Sequence, residues 1–125
     1  MISSKTILLI EDEPIHIEMY QAKFEEAGYQ VMEAREGAEA FDKIRAQKPD
    51  LIILDILLPG LSGFAVLERL KANPETKEIP VIILSNLSDK EDQERGKRLG
   101  AIRYLVKADW TPQQILDKVR EILKD

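Results

Sequence analysis

The sequence predicts an α/β fold in which five parallel strands form a doubly wound sheet with helices on both of its faces. Runs of apolar residues alternate with segments of helical spacing from the first ten residues to the last ten. Four of these runs are short and almost wholly apolar, which is typical of strands that a parallel sheet buries on both faces. Strands that alternate with helices at this interval form right-handed βαβ units.

Each of the five apolar runs supplies one strand. The predicted strands are residues 6–10, 29–33, 51–54, 81–84 and 104–106. The second of them is the weakest, because polar residues interrupt it. For five such units the best match is the flavodoxin-like strand order 2-1-3-4-5, in which ligands bind beyond the carboxyl ends of the strands.

The helices between the strands carry recognisable start and stop signals. Pro14 suits a first helical position, and Gly28 suits the position just after a helix end. Two later helices have capping-box spacing at their starts. These pairs are Ser88 with Glu91, and Thr111 with Gln114. In the second pair, Pro112 takes the first helical position directly after Thr111. The last helix repeats apolar residues at helical spacing and should bury that face against the sheet. Its apolar set is Ile115, Leu116, Val119, Ile122 and Leu123.

Composition narrows the class of protein. The 125 residues are 44% hydrophobic, with no cysteine and a net charge of -5, so we expect residues 1–125 to form one soluble domain without disulfides, in the cytoplasm. Residues 51–58 form the longest apolar run, which is too short to span a bilayer, and residues 1–5 lack the apolar stretch of a signal peptide. Scattered basic residues argue against direct binding to nucleic acid or an anionic membrane.

Polar side chains follow four of the predicted strands at the point where each strand ends. They are Glu11 and Asp12, then Asp55, then Ser85, then Lys107. The carboxyl ends of parallel strands meet at one edge of a sheet, so all five should converge. Like charges about 4 Å apart repel by about 4 kcal/mol at an effective dielectric of about 20, which indicates that a cation lies among them.

The residue types at this edge predict a reaction. Oxygen ligands suit Mg²⁺ better than a soft transition metal, and Asp12 is favoured as the direct ligand, with Glu11 acting through water. Asp55 interrupts an apolar run, where an unpaired charge is costly. Beside a cation and Lys107, it can act as a nucleophile toward phosphorus, with Ser85 donating a hydrogen bond to a phosphoryl oxygen.

These residues resemble the receiver domain of two-component response regulators over essentially the whole chain. The segments that carry the resemblance are residues 7–13 (ILLIEDE), 54–63 (LDILLPGLSG), 80–85 (PVIILS) and 100–107 (GAIRYLVK). The resemblance implies a phosphorylation-dependent switch rather than a turnover enzyme. Its implied partners are a sensor histidine kinase or phosphotransfer protein, which phosphorylates Asp55, and a downstream effector protein of unknown identity.

The same resemblance implies roles for three further groups. The backbone carbonyl of Leu57 helps to bind Mg²⁺. Ser85 and Tyr104 relay the change to the face formed by helix four, strand five and helix five, as Ser85 moves toward the phosphoryl group and Tyr104 turns inward. The inward state is expected to be sampled already in the free protein.

Three positions depart from the family pattern. Ala108 follows Lys107, where the family usually has proline in a cis peptide, and a cis bond before another residue costs about 3 kcal/mol. Asn86 stands where the family prefers a very small residue, which narrows access to Asp55. Ser62 replaces a common acidic residue, and we expect no consequence for the chemistry.

Three other functions fit parts of the sequence. An aspartyl-nucleophile phosphatase of the haloacid dehalogenase type needs a second acid two residues after its nucleophile, where this chain has Leu57. A flavodoxin or nucleotide-binding protein would place phosphate after the first strand, where Glu11, Asp12 and Glu13 would repel it. The stronger alternative is a receiver fold used as a phosphorylation-independent interaction module, since Ala108 and Asn86 could weaken the chemistry.

Overall fold

Five parallel strands form one sheet in the computed structural model, which describes residues 5–125. The strands are β1 (Thr6–Ile10), β2 (Gln30–Ala34), β3 (Leu51–Leu54), β4 (Val81–Ser85) and β5 (Arg103–Val106). They lie in the order β2-β1-β3-β4-β5, so the predicted fold class and strand order are confirmed. The boundaries differ by one residue at β2, at the end of β4 and at the start of β5.

Five helices connect the strands and follow them. They are α1 (Pro14–Glu26), α2 (Gly37–Ala46), α3 (Gly63–Ala72), α4 (Lys90–Arg98) and α5 (Pro112–Leu123), with a 3₁₀ turn at Lys107–Asp109. The predicted limits of α1 are confirmed: Pro14 is its first residue, and Gly28 follows its end with a φ of 98°, a conformation that glycine adopts without strain.

The two predicted capping boxes have different outcomes. At α5 the box is present: Gln114 N–H donates to the Thr111 hydroxyl over 3.1 Å, and Thr111 N–H donates to the Gln114 side chain over 2.9 Å. At α4 the prediction was wrong, because the N-cap residue is Asp89 and the helix begins one residue later than the Ser88 box requires. The carbonyl of Ser88 instead accepts a hydrogen bond from the Gln93 side chain over 2.9 Å.

Two hydrophobic clusters cover the two faces of the sheet. Because successive side chains of a strand point to opposite faces, Leu8 and Ile10 of β1 join one cluster and Ile7 and Leu9 join the other. Helices α2 and α3 bury their apolar sides on the first face, and α1 and α5 on the second. The core therefore fills both faces and leaves the carboxyl edge of the strands for polar residues.

The strand register aligns the residues at that edge. Ile10 lies beside Leu54, and Leu54 lies beside Ile83. Asp55 N–H donates to the Ile10 carbonyl over 3.0 Å, which extends the pairing of β1 and β3 by one residue. Glu11 and Asp55 are thus adjacent at the ends of neighbouring strands.

Within residues 5–125, no helix combines the length and the apolar character needed to cross a membrane. The expectation about a missing signal peptide concerns the start of the chain, and residues 1–4 lie outside the part that the structure describes.

Candidate functional site

Lys107 connects two acidic residues at the carboxyl edge of the sheet. It is the first residue after β5, and its Nζ lies 2.8 Å from Asp55 Oδ2 and 2.5 Å from Glu11 Oε1. The side chains of all three residues are at most 7% exposed. The predicted convergence of these strand-end residues is therefore present, and the ammonium group balances part of the buried negative charge.

Three carboxylates at this edge could hold a divalent cation. Glu11, Asp12 and Asp55 each offer one oxygen, and these oxygens lie within 4.8 Å of one another. When all are ionised, three negative charges and the one positive charge of Lys107 leave a net charge of -2. The donors are all oxygen, which suits a hard cation. Asp12 is partly exposed, whereas Glu11 and Asp55 are buried, so the cluster opens to solvent on the Asp12 side.

Burial and charge act together on the ionisable groups of the site. Burial raises the pKa of Glu11, and the nearby Asp55 carboxylate adds to this, while Lys107 works in the opposite direction. Burial alone would lower the pKa of Lys107, but its hydrogen bonds and charge interactions with Asp55 and Glu11 hold that pKa above its ordinary value. Lys107 therefore remains a cation at neutral pH.

Close packing fixes the Asp55 carboxylate. Its Oδ1 accepts the N–H of Leu57 over 3.1 Å, and its Oδ2 accepts from Lys107. Gly63, the first residue of α3, packs directly against this loop: a Cβ at this position would lie 2.3 Å from the Asp55 carbonyl oxygen and 2.6 Å from Ile56 Cα. Only glycine permits this approach, which holds α3 beneath the acidic site.

Ser85 and Tyr104 meet at Leu87 rather than at the acidic cluster. Ser85 is fully buried, and its hydroxyl accepts the N–H of Leu87 over 3.3 Å. The Tyr104 hydroxyl donates to the Leu87 carbonyl over 2.6 Å. Tyr104 is only 6% exposed, so its ring already lies inward in this structure. Burial raises the pKa of Tyr104 to about 12.

The three positions that depart from the family pattern lie in a 3₁₀ turn, at a helix cap and on the surface. No cis peptide occurs within residues 5–125, and Lys107 and Ala108 lie in the 3₁₀ turn. Lys107 reaches Asp55 from that turn. Ser62 caps α3, since its hydroxyl accepts the N–H of Ala65 over 3.3 Å. Asn86 is exposed, and the Leu57 side chain is 56% exposed.

His16 is a member of the site that the sequence analysis did not identify. Its Nδ1 lies 3.2 Å from Lys107 Nζ, 2.9 Å from Glu13 Oε2 and 3.8 Å from Glu11 Oε1. The available signal was its place in the first turn of α1, directly after the acidic pair, because that turn starts at the edge where the strands end.

The sequence matches a family model of the response regulator receiver domain over residues 7–120. The chain belongs to this family. It is 43% identical over 103 residues to the gliding motility regulatory protein of Myxococcus xanthus, covering 82% of this chain and 13% of that protein. It is 36% identical over 120 residues to the phosphate regulon transcriptional regulatory protein PhoB of Pseudomonas aeruginosa, covering 96% and 52%. Both of these relatives are thus much longer than this chain.

Shorter relatives match along most of their own length. Protein PilH of Pseudomonas aeruginosa is 39% identical over 101 residues, covering 81% of this chain and 84% of PilH. Two solved structures are also similar. The phosphorylated cyanobacterial phytochrome response regulator RcpA has a TM-score of 0.83 and 31% identity, covering 96% of this chain and 91% of its own. The Mn²⁺-bound form of response regulator Rcp1 has a TM-score of 0.82 and 26% identity, covering 94% and 92%.

Membership of this family establishes a signalling role. Receiver domains are the switch domains of two-component response regulators, and they are generally not classed as enzymes. The acidic cluster of this chain offers oxygen ligands that could hold a divalent metal ion. The fold and the general role thus agree with the sequence prediction.

Proposed function

We propose that Asp55 accepts a phosphoryl group from a sensor histidine kinase or a phosphotransfer protein, and that this modification controls a downstream effector protein. The observation that carries the proposal is the position of Asp55, which is buried at the carboxyl edge of the sheet with one oxygen 2.8 Å from Lys107 Nζ. We assign the role to one domain comprising residues 1–125, and to the cytoplasm, where kinases have access to ATP.

The metal in this proposal is Mg²⁺. Glu11, Asp12, Asp55 and the backbone carbonyl of Leu57 would hold it. When bound, the ion would neutralise charge on the phosphoryl oxygens. Glu11 is buried and bonded to Lys107, so we assign direct contact to the more exposed Asp12 and contact through water to Glu11.

The chemical step is a displacement at phosphorus. An oxygen of Asp55 forms the new bond to phosphorus, the bond from phosphorus to the donor breaks, and the donor leaves with that electron pair. The ammonium of Lys107 stabilises the charge on the transferring group. Ser85 lies at the end of β4, the strand next to β3, and its hydroxyl would donate to a phosphoryl oxygen. Asp55 therefore acts as a switch residue, because the reaction modifies the protein itself and does not turn over a separate substrate.

The output follows from the bonds at Leu87. If Ser85 moves toward the phosphoryl group, it releases the Leu87 N–H, which it now accepts over 3.3 Å. Tyr104 is bonded to the carbonyl of the same residue, so the loop before α4 responds to both side chains. We propose that phosphorylation shifts the population of conformations at the face of α4, β5 and α5.

Intact-mass spectrometry after incubation with acetyl phosphate and Mg²⁺ tests the phosphoryl acceptor. The wild-type protein should gain one phosphoryl group, and Asp55→Asn should gain none while keeping or raising its stability, since the amide relieves acidic repulsion. Asp109→Asn, the same change at an exposed acid near Lys107, is the control and should behave as wild type. If the wild-type protein takes up no phosphoryl group, the hypothesis of a phosphorylation-independent interaction module is favoured.

Calorimetry with Mg²⁺ tests the metal ligands separately. Binding should be weak, because few protein groups contact a cation that keeps several waters. Asp12→Ala should abolish the binding, whereas Asp42→Ala, which removes an exposed acid of α2, should not. An unchanged isotherm in Asp12→Ala would overturn the ligand assignment.

A beryllofluoride mimic of the phosphoryl group tests the output face. Amide chemical shifts should change in α4, in β5 and around Leu87. Changes confined to α1 and α2 would contradict the proposed route through Ser85 and Tyr104.

A further inference from the structure

We infer that His16 is a positioning residue for Lys107, and that it holds the ammonium group in place beside Asp55. The inference rests on the proposed function, because it assigns His16 a part in the same phosphorylation step. The resemblance to receiver domains assigned no role to this position. The contact that suggests one is the 3.2 Å distance from Lys107 Nζ to His16 Nδ1.

The first argument is the match between donors and acceptors at Lys107. An ammonium group has three N–H donors and no acceptor. Three acceptors surround it: Glu11 Oε1 at 2.5 Å, Asp55 Oδ2 at 2.8 Å and His16 Nδ1 at 3.2 Å. The Lys107 side chain is 7% exposed, so water cannot readily replace any of the three. His16 is therefore the third acceptor of a buried cation.

The second argument is the tautomer that this contact requires. Nδ1 accepts from Lys107 only when it carries no hydrogen, so the neutral ring must carry its hydrogen on Nε2. Glu13 Oε2 lies 2.9 Å from the same Nδ1, and a bond there requires the opposite tautomer. The two contacts exclude each other. The Glu13 side chain is 63% exposed and can turn to solvent, whereas the buried Lys107 cannot, so the bond to Lys107 prevails.

The third argument is the support of the imidazole ring by α1. The ring centroid of Tyr20 lies 6.1 Å from that of His16, and Phe24 stacks on Tyr20 with centroids 6.4 Å apart. Tyr20 and Phe24 are 3% and 0% exposed. The three rings are spaced four residues apart on one side of the helix. Packing thus sets the direction in which Nδ1 points.

Loss of this acceptor would leave one buried N–H of Lys107 without a partner. The ammonium would then spend part of its time away from Asp55, and phosphorylation would slow. A typical protein hydrogen bond contributes about 2- to 10-fold to a rate or an equilibrium. We expect an effect in that range, because Glu11 and Asp55 still hold the ammonium group when His16 is removed.

Phosphorylation rates of the wild-type protein and three variants, measured with acetyl phosphate at saturating Mg²⁺, distinguish the contact of His16 with Lys107 from its contact with Glu13. His16→Leu removes the acceptor and should slow phosphorylation by about 2- to 10-fold. His16→Gln keeps an acceptor and should recover most of the wild-type rate. Glu13→Gln weakens the competing contact and should not slow the reaction. A rate for His16→Leu equal to wild type, or slowing in Glu13→Gln as large as in His16→Leu, would overturn the inference.

A spectroscopic measurement tests the contact itself and does not depend on any His16 variant folding. The chain has one histidine, so its ¹⁵N imidazole signals need no assignment. In the wild-type protein Nδ1 should carry no hydrogen, and in Lys107→Met it should acquire one and bond to Glu13. A hydrogen on Nδ1 of the His16 ring in the wild-type protein would contradict the inference.

The same rate measurements distinguish failure of the proposed function from failure of the role inferred for His16. If the wild-type protein takes up no phosphoryl group, the proposed function fails. If it does, and His16→Leu reacts at the same rate, only the role of His16 fails.

Discussion

Helices α4 and α5 lie on either side of β5 in the chain but are attached to the sheet in different ways. Helix α5 has a complete capping box at Thr111 and buries four apolar side chains. These are Ile115, Leu116, Val119 and Leu123. Among residues 90–98 of α4, Gly96 alone is buried, and within the described chain the Asp89 side chain does not cap the helix. The two helices therefore differ in how firmly they are anchored to the sheet.

The energies of these contacts explain what the difference means. Full burial of a Leu, Ile or Val side chain stabilises by about 1.5 to 3 kcal/mol, and α5 has four such residues. Helix α4 relies on the Arg95 guanidinium, 4.3 Å from the Phe64 ring centroid, a contact worth about 0.5 to 2 kcal/mol, and on Gly96 against the core. We therefore expect α4 to move at a lower energetic cost than α5 within the proposed output face.

Truncation of a buried α5 residue should have the largest effect. Ile115 is 0% exposed, so Ile115→Ala should lower the free energy of unfolding by about 2 to 5 kcal/mol. Glu94→Ala, at an exposed position of α4, should change it by less than about 0.5 kcal/mol. Urea denaturation measures both. Similar losses in the two variants would show that the helices are equally anchored.

Alkaline titration should destabilise the fold through one tyrosine near each helix. Burial raises the pKa of Tyr104 to about 12, and burial with the Asp125 carboxylate does the same for Tyr29. Since both values lie above that of the unfolded chain, stability is intact below pH 10 and is lost as the pH rises to about 12, by up to about 1.4 kcal/mol per pH unit for each tyrosine. Denaturation across this range should show a smaller slope in Tyr104→Phe, and an unchanged slope would exclude Tyr104 as a source.

Native-state hydrogen exchange should separate the two helices directly. Amides in the middle of α5 should exchange only through global unfolding. Amides of α4 should exchange through local openings whose free energy is lower than that of global unfolding by about 2 kcal/mol or more. Equal protection in α4 and α5 would contradict the proposed loose attachment of α4.

Gly96→Ala should change stability only slightly and still move α4. Alanine gains about 1 kcal/mol in helix propensity, but its Cβ would lie 2.6 Å from Ile83 Cδ1 and 2.9 Å from Tyr104 Cδ2. We expect a net change within about 1 kcal/mol, with shifted NMR signals of the Tyr104 ring. Lys97→Ala, on the exposed side, should leave the ring signals in place. An undisturbed Tyr104 ring in Gly96→Ala would show that the core absorbs the added methyl group without moving the helix.

The same contrast explains why the two helices differed in how well they could be predicted. Pro112, the Thr111 box and the apolar spacing from Ile115 all indicate one start and one buried face for α5. Helix α4 has no apolar spacing, so its start could be inferred only from cap residues. Ser88 and Asp89 are both residue types favoured at the N-cap position. In the structure Asp89 occupies that position, and its side chain makes no capping hydrogen bond.

Local patterns were enough to predict that Glu11, Asp55 and Lys107 meet, because the ends of parallel strands share one edge whatever the details of packing. The strand order was predicted as the best match among the common doubly wound orders, and the structure has that order. Two features depended on how helices rest on the sheet. His16 faces Lys107, 91 positions away in the chain, because α1 is rotated by the burial of Tyr20 and Phe24. Tyr104 lies inward because Gly96 leaves room for its ring beneath α4. Such contacts depend on helix rotation and on the absence of a single methyl group, which only packing in three dimensions determines.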